Sequence, residues 1–136
     1  PNKELRSKLV RENVAQIASK NIIRTFVVSE LRKFKSFGNL VIEGRDIGSV
    51  VFTDAKYKFY LQADYDIRAK RRLADFEKIN EAKNINEIKE DLEKRDKYDS
   101  TRKLSPLKKP EDAIIIDTTL CSFEEQVDQI LKHIEN

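Results

Sequence analysis

A chain of 136 residues has the length of one domain, long enough to bury roughly two-thirds of the surface its unfolded form would expose. With 39% hydrophobic and 38% charged residues it reads as a globular chain with an unusually polar exterior, which argues against disorder. No apolar run approaches the ~20 residues of a membrane span, and the opening PNKELRSKLV has neither the apolar core nor the cleavage site of a secretory signal, so a cytoplasmic address without membrane contact is expected.

One cysteine, Cys121, and one histidine, His133, exclude an internal disulfide and a zinc cluster; both read as bystanders. The formal charge is +3 and unevenly placed. Residues 1–35 carry nine Lys/Arg against three acids, residues 68–110 fourteen against nine, and residues 111–136 one against seven. Local basic surfaces of this kind suit an anionic ligand, without the field of a protein that lives on nucleic acid.

In chain order, residues 3–35 predict two helices that break near Ser19 to Asn21. Leu5, Leu9, Ile17 and Ala18 form one partial stripe; Ile23, Val27, Leu31 and Phe34 form another. Strands are expected at Leu40–Ile42, at Val50–Phe52 and through the alternation of Tyr57, Phe59 and Leu61. Asp64 is placed to cap a helix over 66–79 whose inner face is Ala69, Leu73 and Phe76. A further helix covers 86–99, LSPLKKPED is a loop because its prolines break any helix, and Ala113–Ile116 reads as a buried strand. Ser122 to Glu125 has capping-box spacing and opens a last helix with an inner stripe of Phe123, Val127, Ile130, Leu131 and Ile134. Strands alternating with helices predict an α/β layered fold with a mainly parallel sheet, and ligands in such sheets collect at the carboxyl ends of the strands.

Three segments carry chemistry. The chain's only glycines, Gly38, Gly44 and Gly48, crowd around EGRDIG, which places Arg45 and Asp46 just past an expected strand end; the segment reads either as a ligand loop or as a solvated turn. The stripe Ile85, Ile88, Leu92 continues into Arg95, Asp99 and Arg102, so charged groups stand where a core face should run, as a wet cleft or as an Arg95–Asp99 pair on an exposed helix end. In DIRAKRRL, Arg68, Arg71 and Arg72 fall within about a 100° arc beside the apolar stripe. A guanidinium's planar fork suits phosphate, whereas a basic solvated helix is the plainer alternative.

These segments, EGRDIGSVVFTDAKYKFYL, RAKRRL and KRDKYDSTRKLSPLKKPEDAIIIDTT, in this order and spacing, resemble the bacterial cytidylate (CMP) kinases from about Val14 onward. The resemblance implies a three-layer, parallel-sheet nucleoside-monophosphate kinase fold and transfer of the ATP γ-phosphoryl group to CMP or dCMP, with ATP as co-substrate together with Mg. It implies that Arg45 and Arg102 hold the acceptor phosphate, that Asp46 and Arg24 read the cytosine edge, and that Arg95 and Asp99 contact the sugar. Arg68, Arg71 and Arg72 would open a mobile lid and serve catalysis, with Arg68 and Arg72 touching the transferring phosphoryl. Within a single partial kinase domain, residues 1–38 would be substrate-side helices, 39–66 core strands, 67–84 the lid region and 85–136 a core helix, strand and C-terminal helix; 104–112 would skirt the ATP base.

Two departures accompany the resemblance. The family's phosphate loop, G-x-x-x-x-G-K-[ST], is not in this sequence, so the chain is expected to be the C-terminal part of such an enzyme, inactive alone. An apolar edge open to self-association is then expected, with a monomer if complete. Ala15 stands where relatives often place a serine near the base. A small basic RNA-binding module is the alternative, disfavoured by the lack of aromatic stacking platforms.

Overall fold

The computed structural model describes Glu4 and residues 7–134; Leu5 of the first expected stripe lies outside them. Helices α1 (Lys8–Ala18) and α2 (Asn21–Lys33) are followed by a 3-10 turn (Phe34–Phe37) and a π-helical turn (Ile47–Val51). Then come β1 (Phe59–Gln62), α3 (Tyr65–Glu77), α4 (Ile85–Thr101), β2 (Ile114–Asp117) and α5 (Phe123–Ile134). The helix starts follow from their caps. Asp64 accepts from the backbone N–H groups of Asp66 and Ile67 at 2.9 and 3.3 Å. At α5 the N–H of Glu125 donates to Ser122 Oγ at 3.1 Å while the N–H of Ser122 donates to Glu125 Oε2 at 2.7 Å, the reciprocal box its spacing predicts. The expected break between the first two helices falls at Ser19 and Lys20.

Strands β1 and β2 pair in parallel, from Phe59 beside Ile114 to Gln62 beside Asp117. The result is an α/β fold with a small open parallel sheet, α3 and α4 forming the crossover between its strands. Two expected strands are absent. Leu40–Ile42 is irregular, with Val41 fully exposed, and Val50–Phe52 belongs to the end of the π turn. An apolar run becomes a strand only where a neighbouring ladder takes up its backbone groups. Here the amides bond backwards instead: Val50 and Val51 donate to the carbonyl of Asp46 at 2.9 and 3.3 Å, and Phe52 to that of Ile47 at 2.7 Å.

The chain divides into two compact units, the first Pro1–Asp54 with Lys97–Lys108, the second Ala55–Asp96 with Lys109–Asn136. In the second, Ala69 and Phe76 of α3 meet Ile88 of α4, with Leu73, Ile85 and Leu92 packed around them, as both stripes predict. Ion pairs Arg68–Asp96 and Lys89–Asp66, each 2.6 Å, tie the two helices together. The α5 stripe departs from expectation: no residue of α5 is buried, and Phe123, Val127, Leu131 and Ile134 are exposed. Periodicity specifies an apolar face but not the surface that would cover it. In the first unit no residue of α2 is buried. The buried residues described there are Val51, Asp46 and Asp99, so carboxylates occupy positions that a core would give to hydrocarbon.

Candidate functional site

Buried carboxylates persist only with partners, and those of the first unit have arginines. Asp46, at the entry to the π turn and 4% exposed, takes an ion pair from the Arg24 guanidinium of α2. Asp99, in the last turn of α4, faces two: Arg45 Nε lies 3.3 Å from its Oδ2 and Arg102 Nη1 lies 3.7 Å from its Oδ1. The loop after α4 holds this end in place, because Arg102 Nε donates to the Ser105 carbonyl at 2.6 Å and the N–H of Leu107 to the Asp99 carbonyl at 2.7 Å. Residues distant in sequence, Arg24, Arg45, Asp46, Asp99 and Arg102, thus meet within one unit.

The cluster is electrostatically loaded. Burial pushes the Arg24 guanidinium below the ordinary arginine value, and the positive charge of Arg102 lowers it further. Arg24 Nε, Arg102 Nη2 and Ser49 Oγ are buried without a hydrogen-bond partner among the described residues. Each such group costs about 1–3 kcal/mol while unsatisfied. Gly44 fits the turn for a reason other than a positive φ: a Cβ there would come within 2.8 Å of Ile47 Cγ1. A larger residue there would require the Ile47 side chain to shift.

Sequence reasoning missed Arg32. Its Nε donates to the carbonyl of Val51 at 3.1 Å and its Nη2 to that of Val50 at 2.8 Å, so α2 grips both ends of the π turn with arginines eight residues apart. The only hint was a second arginine on the helix already carrying Arg24.

In the second unit, Arg68 Nη1 pairs with Asp96 Oδ2 at 2.6 Å and lies over the Tyr65 ring. Arg72 stacks over Phe76 at 5.0 Å. Arg71 holds the C-terminal end of β2, donating to Thr118 Oγ1 at 3.0 Å and to the Thr118 carbonyl; buried Thr118 carried no signal in the sequence. Arg95 lies on an exposed stretch of α4 within this unit. At the carboxyl ends of β1 and β2 lies an open depression lined by Gln62, Ala63, Asp64, Asp117, Thr119, Leu120 and Cys121, none of them a predicted site residue; the parallel-sheet rule points instead to Gly44–Gly48, past an expected strand that is absent. Hydrogen bonds from Thr119 and then Gln62 hold the Asp117 carboxyl below the usual carboxylate range. Among the described residues no group of three or more His, Cys, Asp or Glu gathers as metal ligands, and no helix is long and apolar enough to cross a membrane.

Comparison with known proteins bears on what this arrangement serves. The family described as Cytidylate kinase matches residues 1–136. A protein of Acholeplasma laidlawii named Cytidylate kinase is 40% identical over 134 residues, which is 98% of this chain and 60% of that protein. A Cytidylate kinase of Fusobacterium nucleatum is 42% identical over 132 residues, 97% of this chain and 61% of that protein. The chain therefore spans about three-fifths of the length of these curated relatives.

Proposed function

Because this chain belongs to the cytidylate kinase family, we propose that it supplies the acceptor-nucleotide site of an enzyme that transfers the γ-phosphoryl group of ATP to CMP or dCMP. An oxygen of the acceptor phosphate bonds to the γ-phosphorus, the bond to the β-phosphate oxygen breaks, and ADP leaves. Such a transfer needs little covalent help from protein; it needs two polyanions aligned and their charge offset.

In this reading Arg45 and Arg102 hold the acceptor phosphate. They approach one carboxylate from different segments, and Arg102 keeps a buried N–H with no hydrogen-bond partner among the described residues. Asp46 and Arg24 read the base: a carboxylate accepting from an exocyclic amine and a guanidinium donating to ring acceptors match the cytosine edge and not that of uracil. Asp99 serves the sugar; the same role for Arg95 is what the resemblance alone implies. Arg68, Arg71 and Arg72 serve the transferring phosphoryl, Arg68 and Arg72 touching it; here Arg68 pairs with Asp96 and Arg71 with Thr118. Magnesium would arrive with the ATP phosphates.

The observation that carries the proposal is the meeting of three part-buried arginines with two buried carboxylates, in a unit with few buried apolar residues among those described. The test is the melting temperature with CMP, UMP, AMP and a short RNA at two salt concentrations. A CMP-preferring rise is expected, equivalent to about 2.7 kcal/mol at a hundredfold excess over Kd. Stabilisation by RNA alone, steeply dependent on salt, would replace this reading with the small basic RNA-binding module.

A further inference from the structure

We infer that Arg32 is the positioning residue of base recognition: by holding the far end of the π turn against α2, it keeps the Asp46 carboxylate where it can read cytosine. The inference rests on the cytidylate reading above and adds to it a residue that touches no substrate.

The path from Arg32 to Asp46 is two hydrogen bonds long. The Arg32 fork takes the carbonyls of Val50 and Val51, and the N–H groups of the same two residues donate to the carbonyl of Asp46. Carbonyls at the C-terminal end of a helical turn have no partner within it, and an isolated π turn is a rare, weakly self-supporting shape. An external double donor of fixed geometry is what such a turn lacks, and arginine's planar fork supplies it. At the other end, Arg24 grips the Asp46 side chain itself. Arginines eight residues apart on a helix stand about 12 Å apart along its axis, so α2 acts as a splint along the whole turn. Arg32 is exposed, so water can replace its hydrogen bonds when it is removed. Its loss should therefore loosen the turn without unfolding the unit.

Arg32→Ala, Arg32→Lys and Asp46→Ala would be compared by backbone amide exchange and by calorimetric titration with CMP and UMP. In Arg32→Ala the amides of Val50, Val51 and Phe52 should exchange about tenfold faster while those of α3 and α4 keep their rates. The ratio of CMP to UMP affinity should fall about tenfold, approaching that of Asp46→Ala, and Arg32→Lys should recover part of both. Unchanged exchange at the turn overturns the inference, as does faster exchange with an intact CMP to UMP ratio. If the unsubstituted protein itself shows no preference for CMP, the cytidylate reading has failed, and the exchange rates alone then decide whether Arg32 holds the turn.

Discussion

Removing the Asp46 carboxylate tests whether the centre of the first unit is held by charge. Asp46→Ala leaves the Arg24 guanidinium, 14% exposed, beside Arg102 with its principal counterion gone. Breaking a buried ion pair from one side costs about 3–5 kcal/mol. Arg24 retains a solvent-facing edge, so a value near ~2–3 kcal/mol is expected, about the scale of one unsatisfied buried charged group. Asp46→Asn keeps an acceptor and loses only the charge, and should cost about 1–2 kcal/mol. The decisive measurement is a double-mutant cycle by urea unfolding, read as midpoint shifts at constant slope. In an Arg24→Ala background Asp46 is the stranded charge, so its removal should cost almost nothing. An Asp46→Ala cost below about 1 kcal/mol, or one equal in both backgrounds, would refute the idea that the pair is a mutual necessity.

Arg45→Ala should weaken CMP binding by about 1.5–3 kcal/mol, the worth of a charge-assisted hydrogen bond, and leave cytidine almost untouched; calorimetry showing equal losses for both would remove Arg45 from the phosphate. Ile88→Ala, at the fully buried centre of the α3/α4 core, should cost about 2–5 kcal/mol by chemical denaturation, whereas a loss under about 1 kcal/mol would mean that the site collapses to fill the space. A pH series addresses the Lys89–Asp66 pair. Its hydrogen bond and charge hold Asp66 below the ordinary aspartate value and Lys89 above the ordinary lysine value. The Asp66 contribution is therefore present above the unfolded aspartate pKa and lost as pH falls through the lower folded one. The stability deficit of Asp66→Asn should be constant at neutral pH and vanish in strong acid; a deficit that persists there has another cause.

What could be read from the sequence divides along a physical line. The caps at Asp64 and Ser122, the helices around them and the α3/α4 core were legible because side-chain identity and spacing alone determine them. The strands at 40–42 and 50–52 were misread because an apolar run specifies burial, whereas a strand also needs a partner ladder. The same reasoning explains α5, whose stripe is real as a pattern but only partly covered among the described residues. Within the candidate site, Asp99 and Arg102 stood out as charges on a stripe where hydrocarbon was expected, and Arg45 and Asp46 as a charged pair between two glycines. Arg32 and Thr118 did not, because each acts through backbone carbonyls or a backbone-anchored hydroxyl, and sequence patterns carry no record of where carbonyls lack partners.

The charge count of the cluster narrows what it can hold. Three guanidiniums, Arg24, Arg45 and Arg102, face two carboxylates, Asp46 and Asp99, which leaves one positive charge in a partly desolvated place. A neutral nucleoside adds hydrogen bonds but leaves that charge uncompensated. A phosphate monoester, with about −1.5 to −2 charge at neutral pH, reverses the imbalance and offers oxygens to the buried Arg24 and Arg102 N–H groups that have no hydrogen-bond partner among the described residues. The ligand must also compete with Asp99 for Arg45 and Arg102, so binding exchanges one set of ion pairs for another rather than adding charge pairs outright. Net affinity from the phosphate should therefore be modest and steeply dependent on a second recognition element. Under the proposed function the Arg24–Asp46 pair supplies such an element, so base and phosphate are expected to depend on each other: each should be bound well only when the other is present.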